Sequence, residues 1–322
     1  MLKPYYEIRR SLSFFRSYIG SARIIPQSTG DLIICFHGFG SRWLKGNSLY
    51  KATVYELKYT LYIIRKYFSI VTLEELLHES KKNNRQNRLA AITMDDGYSS
   101  ILNIMDIFYS VNVIPSVFIC PNLIDNCSVP FPEIIRASVF SSSKVILNCQ
   151  FLNKSISLWR NNEKRRAISI LIEIFKNYYG NKLKENLCIL LYDLEVSNEQ
   201  IQSHEIYDPL LSWNQIDSLS GDIHIGSHTL NHYHLSTISD AAAGQEILNS
   251  KQIIEKRIGR SCDIFCYPFG NQNSFSTREI ELIRGADYNY SVTLEPSFIS
   301  NKCGKFEIPR FNGLRHLCKS FK

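Results

Sequence analysis

Short, continuously apolar runs alternate along this chain with stretches whose apolar positions recur at helical spacing. Leu32-Ile33-Ile34-Cys35-Phe36 has no polar position, which predicts a buried strand. Asn47 to Phe68 carries Val54, Leu57, Leu61, Ile64 and Phe68 on one helical stripe. Thr72 is placed to cap a helix from Leu73 to Glu79. Strands are then predicted over Leu89–Met94, Pro115–Cys120, Ile223–Ile225, Ile264–Tyr267, Tyr288–Leu294 and Phe306–Ile308. Helices are predicted over Ser99–Ser110, Asp240–Ile258 and Thr277–Arg284. Strand–helix repetition of this kind predicts an α/β fold, a distorted (β/α) barrel of about seven parallel strands.

The interval from about 125 to 211 breaks the rhythm. Val145–Phe151 and Ser155–Trp159 read as a hairpin turning at Asn153-Lys154. Asn162–Tyr179 is a strongly patterned helix through Ala167, Ile170, Leu171, Ile174 and Phe175, and Leu183–Leu191 continues helically. This is expected to be a mostly helical insertion at the barrel rim within one domain of residues 26–322, shaping access to a site.

Polar residues of catalytic type sit where the apolar runs stop. His37 follows the first strand and Asp95-Asp96-Gly97 follows Leu89–Met94. His228, with His232 four residues on, follows Ile223–Ile225, and Pro268-Phe269-Gly270 follows Ile264–Tyr267. In an α/β barrel these strand ends share one rim, where active sites are built. A carboxylate and two imidazoles make three of the four ligands of a tetrahedral zinc site, leaving a position for water. The remaining aspartate could act as base. Taken singly, Asp-Asp-Gly reads as a turn and the two histidines as surface residues. Together, metal-dependent hydrolysis is the better reading. His78, His204, His224, His234 and His316 have no partner pattern, and Trp213 reads as a packing residue.

Composition narrows the class only a little. The chain has 322 residues and a formal net charge of +7, with no basic-aromatic module, so nucleic acid is not an expected partner. Nine cysteines at irregular spacing fit a reducing compartment. No apolar run approaches a membrane span or a signal peptide, so the expected location is the cytoplasm or its membrane face. Residues 1–25 carry Ile8, Leu12, Phe15 and Ile19 at helical spacing among Lys3 and four arginines. Such a basic amphipathic arm can lie on an anionic membrane. A helix packed on the domain is the favoured alternative.

Thr93-Met94-Asp95-Asp96-Gly97-Tyr98 and Ser227-His228-Thr229-Leu230-Asn231-His232 resemble the first two motifs of the polysaccharide deacetylase family, the NodB-homology carbohydrate esterases. The resemblance runs from about Leu32 to Arg310 and is loose over 125–211. It implies that Asp95 is the general base and that Asp96, His228 and His232 hold a divalent metal, commonly Zn2+. The family's Arg-x-Pro-Tyr motif falls on Cys266-Tyr267-Pro268-Phe269, without the arginine and with phenylalanine for tyrosine. The Phe269 N–H could still serve an oxyanion hole, which needs no particular side chain. Arg310 is the candidate replacement for the missing arginine, with an unremarkable surface arginine as the alternative. The late Leu-x-His motif has no counterpart. Some members resemble a permuted arrangement with that histidine on the first strand, which makes His37 the general acid.

The implied reaction removes an N-acetyl group from an amino sugar of a glycan or glycan precursor. Two alternatives stay open. One is deformylation or deacetylation of a lipid-linked sugar; the other is a catalytically silent carbohydrate-binding protein on the same scaffold.

Overall fold

The computed structural model describes residues 30–40, 51–80, 82, 87–152, 154–300 and 303–313. The arm expected over residues 1–25, His316 and Asn153 lie outside these. The main sheet contains β1 (Leu32–Phe36), β2 (Ser69–Ile70), β3 (Leu89–Met94), β4 (Ser116–Ile119), β5 (His224–Ser227), β6 (Ile264–Cys266), β7 (Tyr290–Val292) and β8 (Phe311–Asn312). Its order is β7-β6-β5-β4-β3-β1-β8, with β2 beside the start of β3, and every pairing is parallel. One segment joins the two edges: Ile308 bridges to Val292 of β7, and Phe311 then pairs with Ile34 of β1. This is the distorted barrel of about seven strands that the alternation predicts.

Strand residues divide by parity into two apolar layers, as the period of two demands. Leu32, Ile34, Phe36, Ile92, Met94, Val117 and Ile119 pack with Leu57, Leu61 and Ile64 of helix Val54–Tyr67 and Ile247 and Ile254 of helix Asp240–Ile258. Their neighbours Ile33, Ala91, Phe118, Cys266 and Val292 form a second cluster with Leu73, Leu76 and Leu77 of helix Leu73–Glu79. The helix starts are set locally. Thr53 and Thr72 each close a capping box with a glutamate three residues on, worth about 1 kcal/mol apiece.

Three expectations need correction. Ser99–Ile104 is a 3-10 helix, and only Met105–Ser110 is α-helical. The last strand is Phe311–Asn312 rather than Phe306–Ile308, because Pro309 has no N–H to continue a ladder past Ile308. Arg310 therefore precedes the strand instead of following one, and it is fully buried, which excludes the surface reading.

Residues 125–211 contain the short antiparallel ladder Ile146–Leu147 with Ile156–Ser157 and helices Asn161–Phe175 and Gly180–Leu194, as patterned. They also contain helices Phe131–Ser141 and Asn198–Ser203, which the pattern does not reveal. Phe131, Ile135, Leu171, Phe175 and Leu190 build a cluster of their own, against which Tyr233 and Phe269 from the barrel rim pack. No helix among the described residues is long and apolar enough to cross a membrane.

Candidate active site

Parallel strands in register deliver their following residues to one level. Phe36 pairs with Met94, and the Asp95 N–H donates to the Phe36 carbonyl at 2.9 Å, so His37 and Asp95 emerge side by side. Ser227 pairs with both Ile119 and Phe265, and the His228 N–H donates to the Ile119 carbonyl at 2.9 Å. His228 thus stands beside Cys120 and Cys266 on the same rim. Two glycines make this close approach feasible. Gly97, with φ of +75°, turns the chain after Asp96; Gly226 lies under the Phe118 ring, where a Cβ would meet ring carbons at 2.4 and 2.5 Å.

Asp96, His228 and His232 each present a donor atom within 4.8 Å of the other two, and all three residues are buried. His232 Nε2 is 3.2 Å and His228 Nε2 3.5 Å from Asp96 Oδ1. His228 Nδ1 is 2.8 Å from the Cys266 carbonyl, so it carries a proton there, and Nε2 is the nitrogen that faces the aspartate. Asp96 Oδ1 accepts no hydrogen bond although it is buried. An orphaned carboxylate oxygen between two imidazole nitrogens fits a divalent cation, and one carboxylate with two imidazoles is a donor set suited to zinc. Asp96, Thr229, His232 and Phe269 all have positive φ, between 61° and 72°. Each such residue costs on the order of 1–3 kcal/mol, and their clustering marks a built site.

Charges in the site hold one another. Burial pushes the Asp96 carboxyl up, but His232 and His228 outweigh it and keep Asp96 well below the ordinary range. Burial likewise opposes ionisation of Asp95, yet the Arg310 guanidinium, by charge and by hydrogen bonding, brings its pKa down instead. Arg310 Nη1 and Nη2 donate to Asp95 Oδ1 and Oδ2 at 2.7 and 2.8 Å, a fork-to-fork pair. Its Nε donates to the Thr293 carbonyl at 2.8 Å and Nη1 also to Thr93 Oγ1 at 2.9 Å. Nη2 lies 3.0 Å from Cys266 Sγ, the side chain standing where the family motif has arginine. The small residue at 266 leaves the volume that Arg310 fills from the segment leading into β8.

His37 contributes a ring nitrogen within 4.8 Å of Asp95 and of Cys35 Sγ. Burial lowers its pKa, against the opposing pull of Asp95 and Asp96. The Phe269 ring sits 5.2 Å from the His232 ring and 5.2 Å from His234. Its other neighbours are Phe131 of the insertion, at 6.0 Å, and Lys176 Nζ, 4.6 Å from the ring centre. The Phe269 N–H finds no hydrogen-bond acceptor among the described residues. His234 is buried against this ring, with Nδ1 3.1 Å from the Ser236 hydroxyl, and burial with nearby Lys176 pushes its pKa down to about 4. It contributes no ligand atom to the cluster.

A second set of buried charges binds the insertion to the rim. Lys51 Nζ lies 3.4 Å from Glu133 and 3.5 Å from Asp208, and donates to the Ile206 carbonyl. Asp208 Oδ1 in turn accepts from the Ser100 N–H at 3.2 Å. Trp213 donates to Asp125 at 2.7 Å and packs on the core, a structural role. Sequence reasoning did not single out Lys51, Glu133, Asp208 or Glu246. A signal existed for Glu246, a carboxylate on the buried stripe of Ala243, Ile247, Ser250 and Ile254.

Part of the sequence matches a known family model, and the fold matches solved structures. The polysaccharide deacetylase family model matches residues 196–290, which include the histidine loop and Phe269. No curated protein matches the sequence. Among solved structures, the Streptococcus pyogenes deacetylase PplD in complex with acetate shares 12% identity over 92% of this chain and 100% of its own, with a TM-score of 0.58. IcaB from Ammonifex degensii shares 13% identity over 91% of this chain and 97% of its own, with a TM-score of 0.57. BC0361, a polysaccharide deacetylase from Bacillus cereus, shares 13% identity over 91% of this chain and 69% of its own, with a TM-score of 0.55. At these identities the likeness speaks to the fold. The chain thus resembles the polysaccharide deacetylase family over residues 196–290 and shares the fold of these deacetylase structures.

Proposed function

We propose that the chain is a metal-dependent hydrolase that removes an N-acetyl group from an amino sugar of a glycan or glycan precursor. The observation that carries this reading is the convergence of Asp96, His228 and His232, with Asp95 held beside them by Arg310. Asp96, His228 and His232 would hold the cation, for which Zn2+ is the natural candidate. When bound, such a cation makes water a stronger acid and polarises an acyl oxygen.

Asp95 is held below the ordinary carboxyl range and aimed by the guanidinium fork, so it is placed to accept the proton of the attacking water. The same pairing makes it a weak base at rest, which suits a water already rendered acidic. The Phe269 N–H is the donor for the oxyanion that develops on the acyl oxygen. His37 is the group placed to give a proton to the departing amine, which could not leave as an anion. The hydrolysis balances: water adds across the amide C–N bond, giving acetate and the free amino sugar. We assign His37 on the first strand to the permuted arrangement of the family, and residues 125–211 to a rim insertion of the same domain.

The silent-binder alternative loses its main support once Arg310 supplies the guanidinium that position 266 lacks. The test is metal content of the purified chain together with acetate release from a panel of N-acetylated sugars, polymeric and lipid-linked. Asp95→Asn is expected to keep the metal and lose turnover. Wild-type rates in that variant, or a protein without metal, would refute the assignment. We infer action on a biosynthetic intermediate in the cytoplasm or at its membrane face, and the lipid-linked members of the panel examine that.

A further inference from the structure

Two of the three candidate ligands depend on a backbone that does not hold itself. Between His228 and His232 the chain passes through positive φ at Thr229 and again at His232. Its internal support is one hydrogen bond, from the His232 N–H to Thr229 Oγ1 at 2.9 Å. The remaining support comes from outside the loop, and most of it from Glu246 on helix Asp240–Ile258. Oε2 of Glu246 accepts from the Asn231 N–H at 2.8 Å, and Oε1 accepts from Asn231 Nδ2 at 2.6 Å. The Thr229 hydroxyl favours the charged form of this carboxylate. The backbone carbonyl of Glu246 accepts from the Leu230 N–H at 3.1 Å. From the opposite side Asn122 Nδ2 donates to Asn231 Oδ1 at 2.5 Å, and the Asn122 N–H donates to the Leu230 carbonyl at 3.2 Å.

A carboxylate on the apolar stripe of a helix costs stability unless its oxygens are matched. Here they are matched almost wholly by the ligand loop. We propose that Glu246 is a positioning residue for the metal site: acting through Asn231 and Thr229, it sets the loop so that His232 Nε2 faces Asp96, and it adds negative charge behind the ligands. The proposal rests on the metal-dependent reading above. It assigns Glu246 no contact with substrate or cation.

Glu246→Gln is the informative change. The amide matches the carboxylate in shape, but its NH2 would meet the Asn231 N–H or, turned over, Asn231 Nδ2. Turning Asn231 to relieve that would set its own NH2 against Asn122 Nδ2. Asn231→Ala removes the side-chain half of the clamp and leaves the backbone bond, so it serves as a second, milder variant. Zinc affinity is measured by competition with a chelating dye, alongside thermal melts of the metal-free proteins. Both variants are expected to bind zinc about 10- to 100-fold more weakly, with added zinc recovering lost activity. Variants that melt lower yet keep the parent's zinc affinity would show a merely structural staple and overturn the proposal alone. A folded parent that takes up no zinc would overturn the hydrolase reading and this inference with it.

Discussion

Arg310 grips Asp95 with two parallel hydrogen bonds, of 2.7 and 2.8 Å, across 215 residues of sequence and entirely out of water. A fork of this kind fixes both the position and the plane of the carboxylate, which a lysine could not do. Arg310→Met leaves a buried carboxylate without its partner. It is expected to destabilise the chain by about 3–5 kcal/mol and to slow turnover by about 10²-fold through loss of orientation. Denaturant melts and initial rates measure both. A melt unchanged within error would contradict the pairing.

The acid dependence of that pair has a definite sign. Asp95 has its pKa lowered in the folded chain, so its contribution to stability is present above the unfolded value of about 4 and is lost as pH falls below it. Without Arg310, burial raises the Asp95 pKa against only the weaker pull of His228 and His37. The stability gap between parent and Arg310→Met should therefore be widest at neutral pH and narrow as pH falls through about 4. Urea titrations at a series of pH values test this; a gap independent of pH would count against it.

Cys266 and Arg310 should behave as an exchangeable pair. Cys266→Arg alone forces a second guanidinium against the first, since Sγ and Nη2 are already 3.0 Å apart, and is expected to destabilise. Joined with Arg310→Ser, the same change supplies the guanidinium from the position the family motif uses. The double variant should be more active than Arg310→Ser alone. Equal activity would mean that Asp95 does not accept its partner from that side.

Gly97→Ala places a Cβ 2.8 Å from Ile119 Cγ2 at a φ of +75°. The strained backbone alone is expected to cost about 1–3 kcal/mol. Because the turn carries Asp96, zinc affinity should fall together with the melting temperature. A variant that melts lower but binds zinc as before would separate the turn from the ligand.

Zinc should stabilise the folded chain by mass action, by about 2.7 kcal/mol at a free concentration 100 times the Kd. Asp96→Asn or His232→Ala should abolish most of that gain. Calorimetric melts with and without zinc measure it, and an equal gain in the variants would place the metal elsewhere.

What the sequence determined by itself is local. Continuous apolar runs placed β1 and β3, and helical periodicity placed helix Asp240–Ile258, because such runs and repeats record which faces of an element are buried. Thr72 marked the start of its helix by a side-chain bond three residues long. The motifs at the strand ends followed, since parallel register brings such ends together whatever fills the barrel. Tertiary structure decided the rest. Arg310 was nameable as a candidate, but only joining the sheet edges through Ile308–Asn312 places it beneath Asp95, in the room a cysteine leaves at 266. The Glu246 clamp and the Phe269 contact with the insertion depend on which side chains meet across long separations. No periodicity encodes that, because it is the packing of the whole chain that selects those partners.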